Sequence, residues 1–285
     1  MQKTKNKILA AVVALLFFAN FFVWKEVFGF DNNLKVIFFN VGQGDSIFIE
    51  TPQKHQILID GGPSENIVLE KLGKQMPFWD KTIDLIVLTH SDFDHLNGLL
   101  GVLEKYKVGH VLWTGVGQDT TASARWDIDL LKEKTDIVLA KQGVSIKADK
   151  SELRVLYPFV LPQGQESSND LSIVSRLVFN NFSFLFLGDI SYKVEKKILE
   201  NGVDIKADVL KVAHHGSKDS TSQDFIAAIA PKVAVISCGK DNQYGHPHQG
   251  PLSVLENFGI KVLRIDTLGD IELIANGDEL LIINN

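Results

Sequence analysis

The string His90-Ser91-Asp92-Phe93-Asp94-His95 puts four metal-binding side chains into six positions, directly after the apolar run 84–89. Two imidazoles and two carboxylates at the end of a buried strand are costly to desolvate unless a cation or a partner charge offsets that cost. Their number predicts more than one cation, and paired metals suit the cleavage of phosphodiesters and other esters. Three more strand ends carry groups of the same kind. The apolar stretch Phe182 to Leu187 stops at Gly188-Asp189, a carboxylate placed either to bridge two cations or to cap a helix starting near Ser191. The run 208–213 leads into His214-His215-Gly216-Ser217. Adjacent side chains at a strand end diverge, so one imidazole is expected to ligate while the other faces substrate. Tyr244-Gly245-His246-Pro247-His248 follows a further apolar strand and brings His246 to the candidate site.

These groups need a scaffold, and the hydrophobic pattern supplies one. It predicts strands over 34–40, 46–51, 56–60 and 84–89, and helices over 65–75, 96–107 and 122–134. Short strands and a polar loop over 163–170 follow. A hairpin over 172–179 and 182–187 turns on Asn180-Asn181, a dipeptide that tolerates positive φ. Helices near 191–201, 220–229 and 250–257 then alternate with strands near 207–212, 232–237 and 261–265. Strands near 270–274 and 279–283 close the chain. Early hairpins followed by mixed α/β predict an α/β fold of two sheets covered by helices, a four-layer α/β/β/α sandwich.

The composition, 45% hydrophobic and 22% charged over 285 residues, is that of a globular protein. A net charge of −6 excludes a global basic footprint for nucleic acid. Affinity for a phosphate backbone would come from the site and a local patch, with Lys211 and Lys218 as candidates for attracting an anionic substrate. The single cysteine, Cys238, excludes an intrachain disulfide framework and is expected to be a buried structural thiol.

The N-terminus differs from the rest. Lys3, Lys5 and Lys7 precede the stretch Ile8 to Trp24, 17 residues whose only polar member is Asn20. That is enough for a short spanning helix. The expected organisation is a membrane anchor over 1–29, acting through residues 8–24, and a hydrolase domain over 30–285. The lysines favour a single-pass topology with the domain outside the cytoplasm. A cleaved signal peptide, giving a secreted protein, is the competing reading, although the small residues of a cleavage site are missing.

Taken together, the motifs resemble the metallo-β-lactamase superfamily, whose His-x-His-x-Asp-His string stands here as His-x-Asp-x-Asp-His. More narrowly, they resemble the metallo-β-lactamase-like domain of ComEC/Rec-type DNA-uptake proteins. The matching stretches are Asn40-Val41-Gly42-Gln43-Gly44-Asp45-Ser46, Leu58-Ile59-Asp60-Gly61-Gly62, the string from Leu88 to Gly98, Ser168-Asn169-Asp170-Leu171-Ser172, Gly188-Asp189-Ile190, the string from Leu210 to Ser217, and Tyr244-Gly245-His246-Pro247. The resemblance runs in order from about 34 to 283.

The resemblance implies the four-layer fold and a shell of two divalent cations on His90, Asp92, Asp94, His95, Asp189 and His215. His214 is implied as proton donor, with Asp94, Asn169, Asp170 and His246 also at the reacting end. Asp45 and Asp60 are implied as supports behind the shell or at the substrate. Asp92 stands where the superfamily has a histidine, and Asn169 or Asp170 replaces another. Both changes add hard oxygen and move the expected metal toward manganese, with zinc and magnesium also compatible. The implied activity is a metal-dependent phosphodiesterase or nuclease acting on DNA. The alternatives are a hydrolase of another ester, such as a phosphorylcholine-type envelope phosphodiester or a lactone, and a non-catalytic DNA-binding module. A β-lactam substrate is not expected. The relatives' polytopic channel domain has no counterpart in a chain with one apolar segment, so any channel is expected to be a separate protein.

Overall fold

The computed structural model describes residues 2–28, 32–133, 135–164 and 166–284. Two units are distinct, Met1–Asn32 and Asn33–Asn285. The first is a single helix, α1 (Gln2–Phe28). Its stretch Lys3–Phe22 is long and apolar enough to cross a membrane, and none of it is buried by protein. The expected boundary between residues 29 and 30 falls outside the described residues.

The second unit begins with β1 (Leu34–Phe38), β2 (Ile47–Glu50), β3 (Gln56–Ile59), α2 (Glu65–Gln75), β4 (Thr82–Val87), α3 (Phe93–Lys105), β5 (Lys107–Trp113), α4 (Thr121–Glu133) and β6 (Asp136–Leu139). It continues with β7 (Ser145–Ala148), β8 (Ser151–Tyr157), β9 (Val174–Phe179), β10 (Phe182–Phe186), α5 (Tyr192–Glu200), β11 (Val209–Lys211), α6 (Gln223–Ile229), β12 (Val233–Ile236), α7 (Gln249–Asn257) and β13 (Lys261–Arg264). The short α8 (Ile265–Leu268) leads to β14 (Ile271–Ala275) and β15 (Leu280–Asn284).

The strands form two sheets, in the order β15-β14-β1-β2-β3-β4-β5-β6 and β13-β12-β11-β10-β9-β8-β7. Alternation along each strand divides its side chains between layers. Val36 and Phe38 enter the core between the sheets, with Ile47, Phe184, Phe186 and Val235. Ile37 and Phe39 point the other way and pack on Val68 and Leu72 of α2 and Leu96 and Leu99 of α3. On the far sheet Leu185 and Leu210 pack outward on Val194 and Ile198 of α5 and Phe225 of α6. The result is the expected α/β/β/α sandwich.

Two local expectations are corrected. Helix α3 begins at Phe93 rather than near Leu96, so Asp94 and His95 occupy its first turn. It ends at Lys105, and Lys107–Trp113 forms β5, a strand the pattern did not reveal because Gly109 and His110 interrupt its apolar residues.

Strand direction fixes where chemistry can occur. β3, β4 and β5 are parallel in one sheet, and β10, β11, β12 and β13 are parallel in the other. Loops at the carboxyl ends of parallel strands are where α/β folds place ligands. Asp60, His90, Asp189 and His214 all follow such strand ends.

Candidate metal centre

The loop between β4 and α3 delivers the first set of groups. Asp92 is the residue that opens α3, but its carboxylate makes no capping bond to the helix. It is turned instead toward Gln118 Nε2 and Ser168 Oγ, and its Oδ2 lies 3.7 Å from His90 Nε2. Gly44 lets this loop close on the turn after β1. A Cβ at that position would lie 2.1 Å from the Asp94 carbonyl oxygen, and its φ is +127°.

The second sheet delivers Asp189, His214 and His215. Asp189 caps no helix; Ser191 opens α5. Gly188, at φ +53°, places a Cβ-free backbone against Ser172 and allows Asp189 N to donate to Ser172 Oγ at 3.0 Å. His214 and His215 both adopt left-handed backbone, φ +49° and +54°, as does Asp60 at +57°. Such conformations cost about 1–3 kcal/mol each and persist where the surroundings hold them. Here they turn His215 inward and leave His214 facing a cleft.

Around one point the polar atoms are left over. His90 Nε2, His95 Nε2, His215 Nε2 and Asp189 Oδ1 are buried without a hydrogen-bond partner. Asp189 Oδ2 lies 3.4 Å from His95 Nε2 and 3.3 Å from His215 Nε2, and Asp94 Oδ2 lies 3.3 Å from the same His215 nitrogen. Groups His90–His95–Asp189 and Asp94–His95–His215 each converge closely enough to hold one ion. Buried polar groups are nearly always satisfied, so this cluster fits a cation on the donor set itself.

The opposite nitrogen of each imidazole is held. His95 Nδ1 is 2.8 Å from Asp60 Oδ2, and Asp60 also accepts from Thr89 N at 2.8 Å and Thr89 Oγ1 at 2.7 Å. His215 Nδ1 donates to the Ser237 carbonyl oxygen at 2.7 Å, and His90 Nδ1 meets Thr89 Oγ1 at 3.1 Å and Ser172 Oγ at 3.3 Å. Ligating histidines are oriented in this way.

The electrostatics favour positive charge at the same point. Burial opposes ionisation of Asp189, but His215 and His95 outweigh it and hold the carboxyl well below its usual range. Burial likewise disfavours charge on His95 and His215, yet Asp189, with Asp60 beside the first and Asp45 beside the second, raises both well above their ordinary value. His90 goes the other way, lowered by burial and by His95. Asp94 is lowered in spite of its burial by His215 and His95.

A small cleft of about 110 Å³ opens over this cluster, lined by Gln43, Asp92, Asp94, Asp189, His214, His215, Tyr244 and His246. His214 Nε2 is 3.9 Å from Asp189 Oδ2 and 3.4 Å from Asn169 Nδ2. His246 is half-buried, and burial together with His215 and His214 lowers its pKa to about 4.

Lys211, Asp170 and Lys218 sit away from the expected reacting end. Lys211 is buried and bound to Asp45 Oδ2 at 2.6 Å, so it cannot meet a substrate. Burial pushes the Asp45 carboxyl up, but Lys211 and His215 outweigh it and set its pKa at about 2. Asp45 Oδ1 faces His215 Nδ1 at 3.4 Å, behind the cluster rather than in the cleft. Asp170 turns its carboxylate to Ser191 Oγ at 2.5 Å, which leaves Asn169 as the residue of that pair near His214. Lys218 is exposed to solvent and does not line the cleft. Burial pushes the Cys238 thiol up to about 12, so it is no nucleophile.

Residues 39–138 match the family model of the metallo-beta-lactamase superfamily. The chain belongs to the metallo-beta-lactamase superfamily. Among curated proteins the chain is 33% identical over 256 residues to ComE operon protein 3 of Bacillus subtilis (strain 168), an alignment that covers 82% of the chain and 32% of the relative. It is 27% identical over 267 residues to competence protein ComA of Neisseria gonorrhoeae, 91% of the chain and 35% of the relative. The chain spans about a third of the length of these relatives. Among solved structures, the metallo-beta-lactamase fold protein YhfI from Bacillus subtilis superposes with a TM-score of 0.55 at 13% identity, over 84% of this chain and 99% of that one.

Sequence reasoning missed the residues that support the cluster. Thr89 and Ser172 on His90 lay within the quoted motifs but are common residues. Gln118 and the Ser237 carbonyl carry no local signal, because only the fold brings them to Asp92 and His215.

Proposed function

We propose that this protein is a membrane-anchored, extracytoplasmic, metal-dependent phosphodiesterase acting on DNA. The observation that carries the reading is the buried cluster of unpartnered atoms on His90, His95, His215 and Asp189, in a domain similar to ComE operon protein 3 and to competence protein ComA. His90, Asp92, Asp94, His95, Asp189 and His215 would hold two divalent cations. Three carboxylates balance three imidazoles, a donor set suited to manganese, with zinc and magnesium compatible. Such cations lower the pKa of a water toward neutrality and neutralise charge that develops on a phosphate.

The remaining residues do the rest. His214 is placed to move a proton at Nε2, on the cleft side of the cluster and next to Asn169. Asp60, Thr89, Ser172 and Ser237 fix the orientation of the imidazoles. The cleft is well below the ~300–1,000 Å³ that encloses drug-sized ligands, so a substrate is gripped by one small group, as a phosphodiester within a polymer is. The same feature disfavours a β-lactam. Helix α1 supports the anchor, and Lys3, Lys5 and Lys7 ahead of its apolar stretch support an outward-facing domain.

The test is hydrolysis by the purified full chain of DNA, a phosphodiester reporter and a lactone, with manganese, magnesium and zinc in turn. Cleavage of DNA and the reporter, abolished by chelation and restored by manganese, is the expected result. Cleavage of the lactone alone would replace this reading with the other-ester alternative, and inactivity with retained DNA binding would replace it with the binding module.

A further inference from the structure

The end of the domain opposite the metal centre carries an apolar feature that the fold does not use. Between α2 and β4, Phe78 and Trp79 are 82% and 57% exposed. They stack edge to face, with ring centroids 4.8 Å apart. Two exposed lysines stand beside them. Lys81 extends over the Tyr106 ring, and its carbonyl accepts from Lys107 N at 2.7 Å, which makes the two lysines neighbours. Neither forms an ion pair among the described residues. The nearby carboxylate of Asp80 is engaged by Gln56 Nε2 and Thr82 N.

Strand direction puts this loop at the end where the chain enters the domain. β1, β3, β4 and β5 all run the same way, through the antiparallel pairs β1–β2 and β2–β3 and the parallel pairs that follow. Leu34 begins β1 and Thr82 begins β4, so both lie away from the metal loops, which follow Phe38 and Val87. Residues 29–33 join Leu34 to α1, and five residues reach at most about 18 Å. If α1 spans a bilayer, this end of the domain is tethered within reach of its surface.

We propose that residues 76–81 dock on the surface of the membrane that α1 spans, with Phe78 and Trp79 entering the interfacial layer and Lys81 and Lys107 meeting anionic headgroups. The indole of Trp79 favours the membrane–water interface, and lysines beside it are drawn to anionic headgroups. The consequence is orientation. β4 alone sets the metal loops ~20 Å beyond the docked end, so the cleft opens away from the lipid. Substrate then arrives from solution or from a protein rising above the surface, and a membrane lipid is excluded as substrate. The proposal rests on the reading of α1 as a membrane span.

The test uses the full chain in vesicles of equal parts phosphatidylcholine and phosphatidylglycerol. Cys238 is fully buried, so an environment-sensitive dye can be placed selectively on Phe78→Cys or on Lys240→Cys at the metal end. The expected result is that nitroxide-bearing lipids quench the dye at 78 at least ~3-fold more than at 240, and aqueous iodide does the reverse. Adding Lys81→Glu and Lys107→Glu should weaken the lipid quenching at 78. Trp79→Ser should leave hydrolysis of a soluble reporter unchanged. If the protein floats with the vesicles but both dyes respond equally to iodide, docking is wrong and the anchor stands. If 78 is shielded from both quenchers, a second copy of the chain covers the loop and docking is again wrong. If the chain fails to float, the anchor and the docking fall together.

Discussion

Asp189 and Glu195 lie six positions apart, the first in the loop before α5 and the second in its first turn, and both are buried. Both oxygens of Glu195 are satisfied. They accept from Thr221 N at 2.5 Å and Ser222 N at 2.9 Å, where the chain turns into α6. Asp189 leaves Oδ1 unpartnered and points Oδ2 at two imidazole nitrogens that themselves lack hydrogen bonds. A buried carboxylate is therefore not by itself a sign of function. Glu195 closes an account of donors and acceptors within the fold, and Asp189 leaves one that only a further positive charge can close.

Asp189→Ala is expected to remove at least one cation per chain and to lower hydrolysis by about 10³-fold or more, ~4 kcal/mol. Glu195→Ala is expected to keep full metal content, measured by elemental analysis, while losing ~2–4 kcal/mol of stability, because two buried N–H groups lose their acceptors. Retained metal and activity in the first variant, or metal loss in the second, would reverse the assignment.

A smaller effect separates the adjacent histidines. His215 is buried with Nδ1 fixed on a carbonyl, whereas a quarter of the His214 side chain is exposed at the cleft. His215→Ala should lower metal content. His214→Ala should keep the metals and lose ~10²–10⁴-fold in turnover. Equal metal loss in both would mean that the left-handed turn, rather than either ring, is what the site requires.

The first half of the site was legible because it is contiguous. His90 to His95 concentrates four donors in six residues, and no packing argument accounts for them. The second half was legible only through context, since Asp189 and His215 each stand alone at a strand end, where a cap or a loop is the ordinary reading. The sandwich followed from the alternation of apolar residues, which marks strands and helices well. β5 escaped because Gly109 and His110 dilute its pattern. Lys211 was misread for a physical reason. A lysine in an apolar run looks like an exposed charge, and only the fold shows Asp45 waiting 2.6 Å away. Backbone supports such as the Ser237 carbonyl are invisible to any reading of side-chain types.

The smallest expected effect is on the pH dependence of stability, in chelator-treated protein. Burial raises the Glu195 pKa above its ordinary 4.5, against the opposing bonds from Ser222 and Thr221. Between the unfolded and folded values the folded state therefore binds more protons than the unfolded one, and stability falls as pH rises. The contribution is fully present below 4.5 and is lost as pH rises through the folded value. Asp189 is shifted in the opposite direction, well below 3.8, by His215 and His95. Its contribution is present above 3.8 and lost as pH falls through its lowered value. The stability advantage of the wild type over Glu195→Gln should therefore grow as pH falls from 7 toward 4, read as a widening gap between urea midpoints. The advantage over Asp189→Asn should stay level through that range and shrink only below it. If the Glu195→Gln gap is flat from pH 7 to 4, the bonds from Thr221 and Ser222 fully offset burial, and Glu195 brings no pH dependence of its own.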